Sequence, residues 1–309
     1  MNAALQACLR APPQADTIDN LALWWPRWCA LGELGLDPAV LALKAGFDAD
    51  RVGWAFAGGY QAALRALWPE LPHQTMAALC VTEAGGNRPR DIRTTITLQG
   101  DGGLRIDGAK RWTTLGPISS VLLVAGLWPA PVDAQHPLIR LVAVAVPSPG
   151  LTLTPMPATG FVPEVPHAQV LLEGVRAGSA ALLPGDGYDR YVKPFRTIED
   201  VHVTLAVMAY LLREARARGW PAALREELVG LLCLLLGLAH DDASSATTHV
   251  ALAGALHWAQ RLYGDATTQW AAGSADAAAQ RWLRDLPLMQ VAGTARAARA
   301  ERAWARMKA

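Results

Sequence analysis

The chain reads as an α+β protein in three parts: a short helical N-terminal part, a central β domain and a C-terminal antiparallel helical bundle. Three observations predict this. Hydrophobic residues make up 52% of the 309 residues, enough to fill more than one buried core. Between Gln74 and Leu183, short β-prone segments alternate with turn residues. Near Asp186 the apolar period lengthens from that of a strand to that of a helix.

The elements follow in order. Residues 1–73 form the shortened helical domain, with apolar residues at helical spacing over Ala39–Ala45 and Trp54–Trp68, and Pro69 and Pro72 closing it. Residues 74–186 form the β domain. Its strand candidates are Met76–Thr82, Thr94–Leu98, Leu104–Gly108, Ser120–Gly126, Leu138–Val146, Leu151–Met156 and Ala168–Val175. Turn signals separate them at Gly100–Gly103, Asp107-Gly108 and Pro147–Gly150. Many short strands joined by turns predict an antiparallel barrel or sandwich rather than a βαβ sheet. Residues 187–309 form the bundle, with long helices over Tyr191–Arg218, Ala222–His240, Ser244–Trp270 and Ala275–Met307.

Composition removes several function classes. Net charge is +1 and no basic run occurs, which argues against nucleic acid as a partner. The Arg-rich stretch Arg296–Lys308 reads as a solvated helix face. Cys8, Cys29, Cys80 and Cys233 are scattered without a CxxC pair, which argues against zinc or disulfides and fits a reducing cytoplasm. The seven histidines lack metal-ligand spacing, and His240-Asp241-Asp242 reads as a helix end. Met1–Gln14 has no secretory pattern. The longest apolar run, Leu228–Ala239, is too short to span a bilayer, which takes ~20 residues, so it reads as a buried bundle helix.

Chemistry is suggested by two blocks. Cys80–Asn87 reads Cys-Val-Thr-Glu-Ala-Gly-Gly-Asn, and Asp107–Gly116 reads Asp-Gly-Ala-Lys-Arg-Trp-Thr-Thr-Leu-Gly. The first resembles the flavin-contacting Thr-Glu-Pro loop of acyl-CoA dehydrogenases, and the second is similar to that family's NGxKxWITNG strand and turn. Pro149–Thr152 and Val170–Val175 resemble its later strands. The likeness covers roughly Gly53–Arg299. It implies FAD as cofactor, with Val81, Thr82, Trp112 and Thr114 against the isoalloxazine and Gly85, Gly86 and Asn87 near the pyrophosphate. Hydroxyls at strand ends and a wide aromatic face suit a flavin edge and ring, and small residues permit close backbone approach.

The bundle departs further from that pattern. Arg216–Pro221 stands where the family has an Arg-x-x-Phe-Gly turn reaching a neighbouring subunit's FAD, which gives Arg218 that role. Gln269–Gly273 resembles the Gln-x-x-Gly-Gly element, which implies a cofactor role for Gln269. Arg284-Asp285 and Gly293-Thr294 match the family's YRD and EGT. The glutamate that precedes that Gly-Thr, the base for the α-proton, is replaced by Ala292. Some family members carry the base on the first bundle helix, and Glu199 falls at or within one residue of that place. Read from the residues alone, Thr197 is an N-cap with Glu199 and Asp200 in the first helical turn. Asp200 and His202 are weaker candidates for the base.

The resemblance implies α,β-dehydrogenation of an acyl-CoA or related acyl thioester, a homodimer or homotetramer, and an electron-accepting flavoprotein as partner. Two alternatives stand beside it: oxidase or monooxygenase chemistry on the same fold, and a catalytically degenerate homologue acting as a binding partner.

Overall fold

The computed structural model describes residues 3–129, 138–273 and 276–308. They form two compact units: Met1–Glu70, Thr159–Glu164 and Thr197–Ala309 in one, Leu71–Ala158 and Val165–Arg196 in the other. Helices from before and after the β segment therefore share a unit.

The β unit has β1 (Ala77–Cys80), β2 (Thr95–Leu98), β3 (Leu104–Thr114), β4 (Val121–Leu127), β5 (Ile139–Ala145), β6 (Leu151–Pro155) and β7 (His167–Ala177). All seven predicted segments thus coincide with or overlap a strand, although β3 and β7 run beyond the bounds expected for them. The sheet order is β1-β4-β2-β3-β7-β6, with β5 on the other side of β4. The sheet is mixed rather than wholly antiparallel, because β4 runs parallel to β1 and to the end of β2. β4 is buried on both faces, which explains its unbroken apolar run. Alternating residues, among them Ile96, Ile106, Leu122, Val142 and Leu172, form one buried core. Asp107-Gly108, predicted as a turn, continues β3 instead: Gly108 marks a register shift against β7, and a side chain there would strike Thr94.

The helical unit holds α1 (Ala3–Arg10), α2 (Leu21–Gly32), α3 (Pro38–Phe47), α4 (Val52–Leu67), α5 (Lys193–Ala217, from Thr197 onward), α6 (Ala222–Leu238), α7 (Ala246–Ala272), α8 (Ala277–Asp285) and α9 (Gly293–Met307). Side-chain caps set several starts. Asn20 accepts from the Leu23 amide at 3.1 Å, Asp37 from Ala39 at 2.9 Å, and Asp276 from Ala279 at 2.9 Å. α6 buries Leu228, Leu231, Leu232 and Leu235 along one stripe, as the apolar run requires. Among the described residues, no helix is long and apolar enough to cross a membrane.

Three further expectations change. The helix expected over Ala275–Met307, whose first residue lies outside the described set, is split into α8, a 3₁₀ segment Leu286–Gln290 and α9. Pro287 cannot donate to the helix ladder, which accounts for the break. Thr197 is not an N-cap. Asp186 starts the helical run by accepting from the amides of Tyr188 and Asp189 at 2.8 and 2.7 Å, and a π turn leads into α5. Glu199 consequently stands in the second turn of α5 rather than the first. The Arg-rich end is only partly a solvated face, since Arg296 and Arg299 turn inward to Asp200, each at 2.7 Å.

α5 is approached very closely by its neighbours. A side chain at Gly46 of α3 would overlap the Ala206 carbonyl, and one at Gly59 of α4 would come within 2.7 Å of the Val203 Cα.

Candidate functional site

After Cys80 the chain leaves β1 and folds back on itself. The Glu83 amide donates to the Gly86 carbonyl at 2.8 Å, and Gly86 returns the bond at 3.1 Å. Gly86 has φ +134°, and a Cβ there would lie 2.6 Å from an Asp91 carboxylate oxygen, so the loop itself demands glycine. Gly85 is different. It is exposed, and a Cβ would meet nothing closer than 4.0 Å, so internal packing does not explain it.

The loop is held from beneath by a buried ion pair. Lys110 Nζ lies 2.7 Å from Glu83 Oε1, with side-chain exposures of 0% and 7%. The same ammonium donates to the Val81 carbonyl at 3.3 Å. Glu83 also accepts from the Thr94 hydroxyl at 2.8 Å, the Thr94 amide at 3.0 Å and the Arg93 amide at 2.8 Å. Burial works to raise the Glu83 carboxyl, but the bond to Lys110, its charge and the Thr94 donors outweigh it and hold the group below the usual range. One further bond, from the Arg111 amide to the Thr82 carbonyl at 2.9 Å, fixes the Val81-Thr82 backbone against β3.

Trp112 follows directly. A second register shift between β3 and β7 falls between Lys110 and Thr113, and in this bulge Trp112 takes φ 58°. A left-handed backbone in a bulky residue costs on the order of 1–3 kcal/mol. The strained ring is nonetheless 49% exposed. The Arg111 guanidinium sits 5.3 Å from its centroid, and His167 meets it edge-on at 6.4 Å. Thr113 points inward to Cys80, leaving Thr114 half-buried at the strand end. The hydroxyls of Thr82 and Thr114 have no hydrogen-bond partner among the described residues. Val81, Thr82, Trp112 and Thr114 are thus carried by one stretch of the β unit, and Asn87 lies at the far end of the loop, its carbonyl accepting from Arg196 at 3.2 Å.

The bundle residues are placed otherwise. Arg218 is engaged within its own chain, 2.7 Å from Glu214 and 2.9 Å from Asp276, with its guanidinium 5.8 Å from the Trp270 ring. Gln269 is half-buried near the end of α7. Ala292 is the residue before α9. On α5, Glu199 is half-buried, whereas its neighbour Asp200 is claimed by both Arg296 and Arg299. His202 is buried with Nδ1 2.8 Å from the Ile198 carbonyl, and burial pushes its imidazole down to about 4, so it is neutral at pH 7. Among the described residues, no group of three or more His, Cys, Asp or Glu could hold a metal ion.

Two charge clusters were not read from the sequence. The Glu83–Lys110 pair had a signal: Leu104 and Ile106 set the inward face of β3, and Lys110 has the same parity. A lysine at an inward position requires a buried partner. The other cluster lies in the helical unit. Arg284 spans Glu164 at 2.9 Å and Asp285 at 2.7 Å, Arg51 bridges Glu164 at 3.4 Å and Asp50 at 2.7 Å, and Asp285 accepts from the Val162 amide at 2.7 Å. Its members are too far apart in sequence for spacing to reveal them.

No family model and no curated protein matches the chain. Solved structures do match it. Butyryl-CoA dehydrogenase from Megasphaera elsdenii aligns over 97% of this chain and 93% of its own, with a TM-score of 0.69 at 15% identity. FkbI, of methoxymalonyl extender unit biosynthesis, aligns over 98% of both chains with a TM-score of 0.65 at 19% identity. A glutaryl-CoA dehydrogenase from Mycobacterium smegmatis in complex with FADH2 aligns over 86% of this chain and 85% of its own, with a TM-score of 0.57 at 16% identity. At such identities the likeness is one of architecture, and in architecture the chain has the acyl-CoA dehydrogenase fold.

Proposed function

We propose that the chain is an FAD-dependent oxidoreductase acting on an acyl thioester. The observation that carries this reading is Trp112, a strained aromatic residue presented outward beside two hydroxyls that lack internal partners. Strain that persists without serving the core suggests a binding role. The β-unit residues suit a flavin: a broad ring face, hydroxyls for a polar edge, and Gly85, whose small size internal packing does not require. Flavin neighbours of the same fold support the assignment.

In this reading Val81, Thr82, Trp112 and Thr114 hold the isoalloxazine, and Gly85, Gly86 and Asn87 approach the pyrophosphate. The bound flavin supplies a hydride acceptor for the substrate β-carbon. The α-proton needs a base from this chain, and Ala292 cannot accept it. Asp200 is neutralised by two guanidinium groups, and burial makes the His202 imidazole a weak base. By its match to the family's pattern, Glu199 takes that role in this reading. The working form in this reading is a homodimer or homotetramer in the cytoplasm, passing electrons to an acceptor flavoprotein. Four free cysteines fit a reducing compartment, and exposed Leu283, Val291, Trp304 and Met307 offer apolar surface for self-association.

Anaerobic titration with acyl-CoAs of graded length, followed by flavin bleaching, tests the reaction. Glu199→Gln should slow bleaching by about 10²–10⁴-fold with flavin content unchanged. Full activity in that variant would remove Glu199 from the mechanism. Ala292 also favours a second reading. A yellow protein would exclude a flavin-free scaffold and leave oxidase or monooxygenase chemistry as the alternative, whereas absence of any activity across chain lengths would favour a non-catalytic binding partner.

A further inference from the structure

We infer that this chain supplies the positive charge for the cofactor's pyrophosphate from its own β unit, through Arg88, Arg93 and Arg196, and not through Arg218 of a second subunit. The inference rests on the FAD reading above and concerns how that site is completed.

Arg218 is poorly available for an outside anion. It holds Glu214 at 2.7 Å and Asp276 at 2.9 Å, and Glu214 is itself buried and bonded to Arg213 at 2.9 Å. Turning Arg218 outward would leave a buried carboxylate with one cation fewer, a costly change.

The loop after Gly85 has the opposite character. Residues 88–93 read Arg-Pro-Arg-Asp-Ile-Arg, and Arg88, Arg90 and Arg93 are exposed. The one acid among them, Asp91, accepts from the Arg88 amide at 3.1 Å and lies 3.9 Å from Arg90. No carboxylate among the described residues pairs with the side chains of Arg88 or Arg93. The roots of these side chains are nevertheless fixed. The Arg93 amide is bound to Glu83, the carboxylate that also anchors Lys110 beneath Val81, and the Arg196 guanidinium reaches the Asn87 carbonyl at 3.2 Å. Gly85, with open space where a Cβ would stand, lies in the same compact loop. Exposed arginines borne on a small-residue loop are suited to two linked phosphates, which guanidinium groups can bind in a forked, charge-assisted manner.

The test compares FAD with riboflavin, which has the ring but no pyrophosphate. Binding is measured by flavin fluorescence at low and moderate salt for the parent, for the triple variant Arg88→Ala/Arg93→Ala/Arg196→Ala, and for Arg302→Ala as an exposed-arginine control on the helical unit. The expected result is FAD affinity weakened about 10–100-fold in the triple variant, with the difference shrinking as salt rises and riboflavin unaffected. FAD affinity should also be independent of protein concentration. Equal FAD binding by the triple variant and the parent overturns the inference, as does equal weakening of FAD and riboflavin. So does FAD release on dilution to monomer. A parent that binds neither flavin overturns the FAD reading itself and the inference with it, a result distinct from the others.

Discussion

Both units hold a loop with buried charge, yet the two loops differ in where their strain points. In the helical unit, Asp285 and Arg284 grip the Thr159–Glu164 segment, and the strained residue there, Val162 with φ 39°, is 1% exposed. Its amide is satisfied by Asp285, and the cluster is closed on itself. In the β unit, Glu83 and Lys110 grip Val81–Gly86, and of the two left-handed residues that follow, Leu115 is buried whereas Trp112 is 49% exposed. Buried charge alone therefore does not mark a functional site. Strain directed inward serves the fold, and strain directed outward suggests a ligand.

The contrast is broken or sharpened by three substitutions. Asp285→Ala should have the largest effect, about 3–5 kcal/mol lost in urea unfolding, because it leaves Arg284 short of a partner and the Val162 amide unsatisfied. Flavin affinity in the surviving folded fraction should be unchanged. A variant that folds normally but loses flavin would erase the distinction between the two loops.

Lys110→Met should cost about 3 kcal/mol by stranding Glu83 in a buried site, and should also weaken flavin binding. The paired change Glu83→Gln/Lys110→Met should recover part of the stability. The parent should show an acid-side loss that the variant lacks. Because the folded Glu83 carboxyl lies below its ordinary 4.5, its contribution is present above that pH and disappears as pH falls through the lower folded value. Identical acid profiles for parent and variant would show that the pair does not set the slope.

The smallest effect is expected for Trp112→Gly. Glycine takes φ 58° without strain, so the flavin-free protein should gain up to about 1 kcal/mol while flavin affinity falls. Stability lost together with flavin would mean that the ring serves the fold after all.

Much of the architecture was legible because it rests on local pattern. The unbroken apolar run Val121–Leu127 and the leucine stripe of α6 can hardly be buried in any other way. What escaped depends on position in three dimensions. Gly108 looked like a turn because only the pairing with β7 and the close contact with Thr94 reveal it as part of a continuous β3. The start of α5 was misplaced because Thr197 imitates a cap that Asp186 provides earlier. In the site, Trp112 and the threonines lie in contiguous motifs, whereas the capture of Arg218 by Asp276 joins residues 58 positions apart.

The close approach of α3 and α4 to α5 has a consequence for how a catalytic group can change over time. With Gly46 and Gly59 seated against the α5 backbone at Ala206 and Val203, that helix has little room to slide by even a methyl group. A carboxylate carried on it, such as Glu199, cannot drift gradually along the axis. It can be relocated only in whole residue steps, by losing an acid at one position and gaining one at another. Lineages with this scaffold should therefore differ in their base by discrete jumps, with the glycines retained on both sides of each jump.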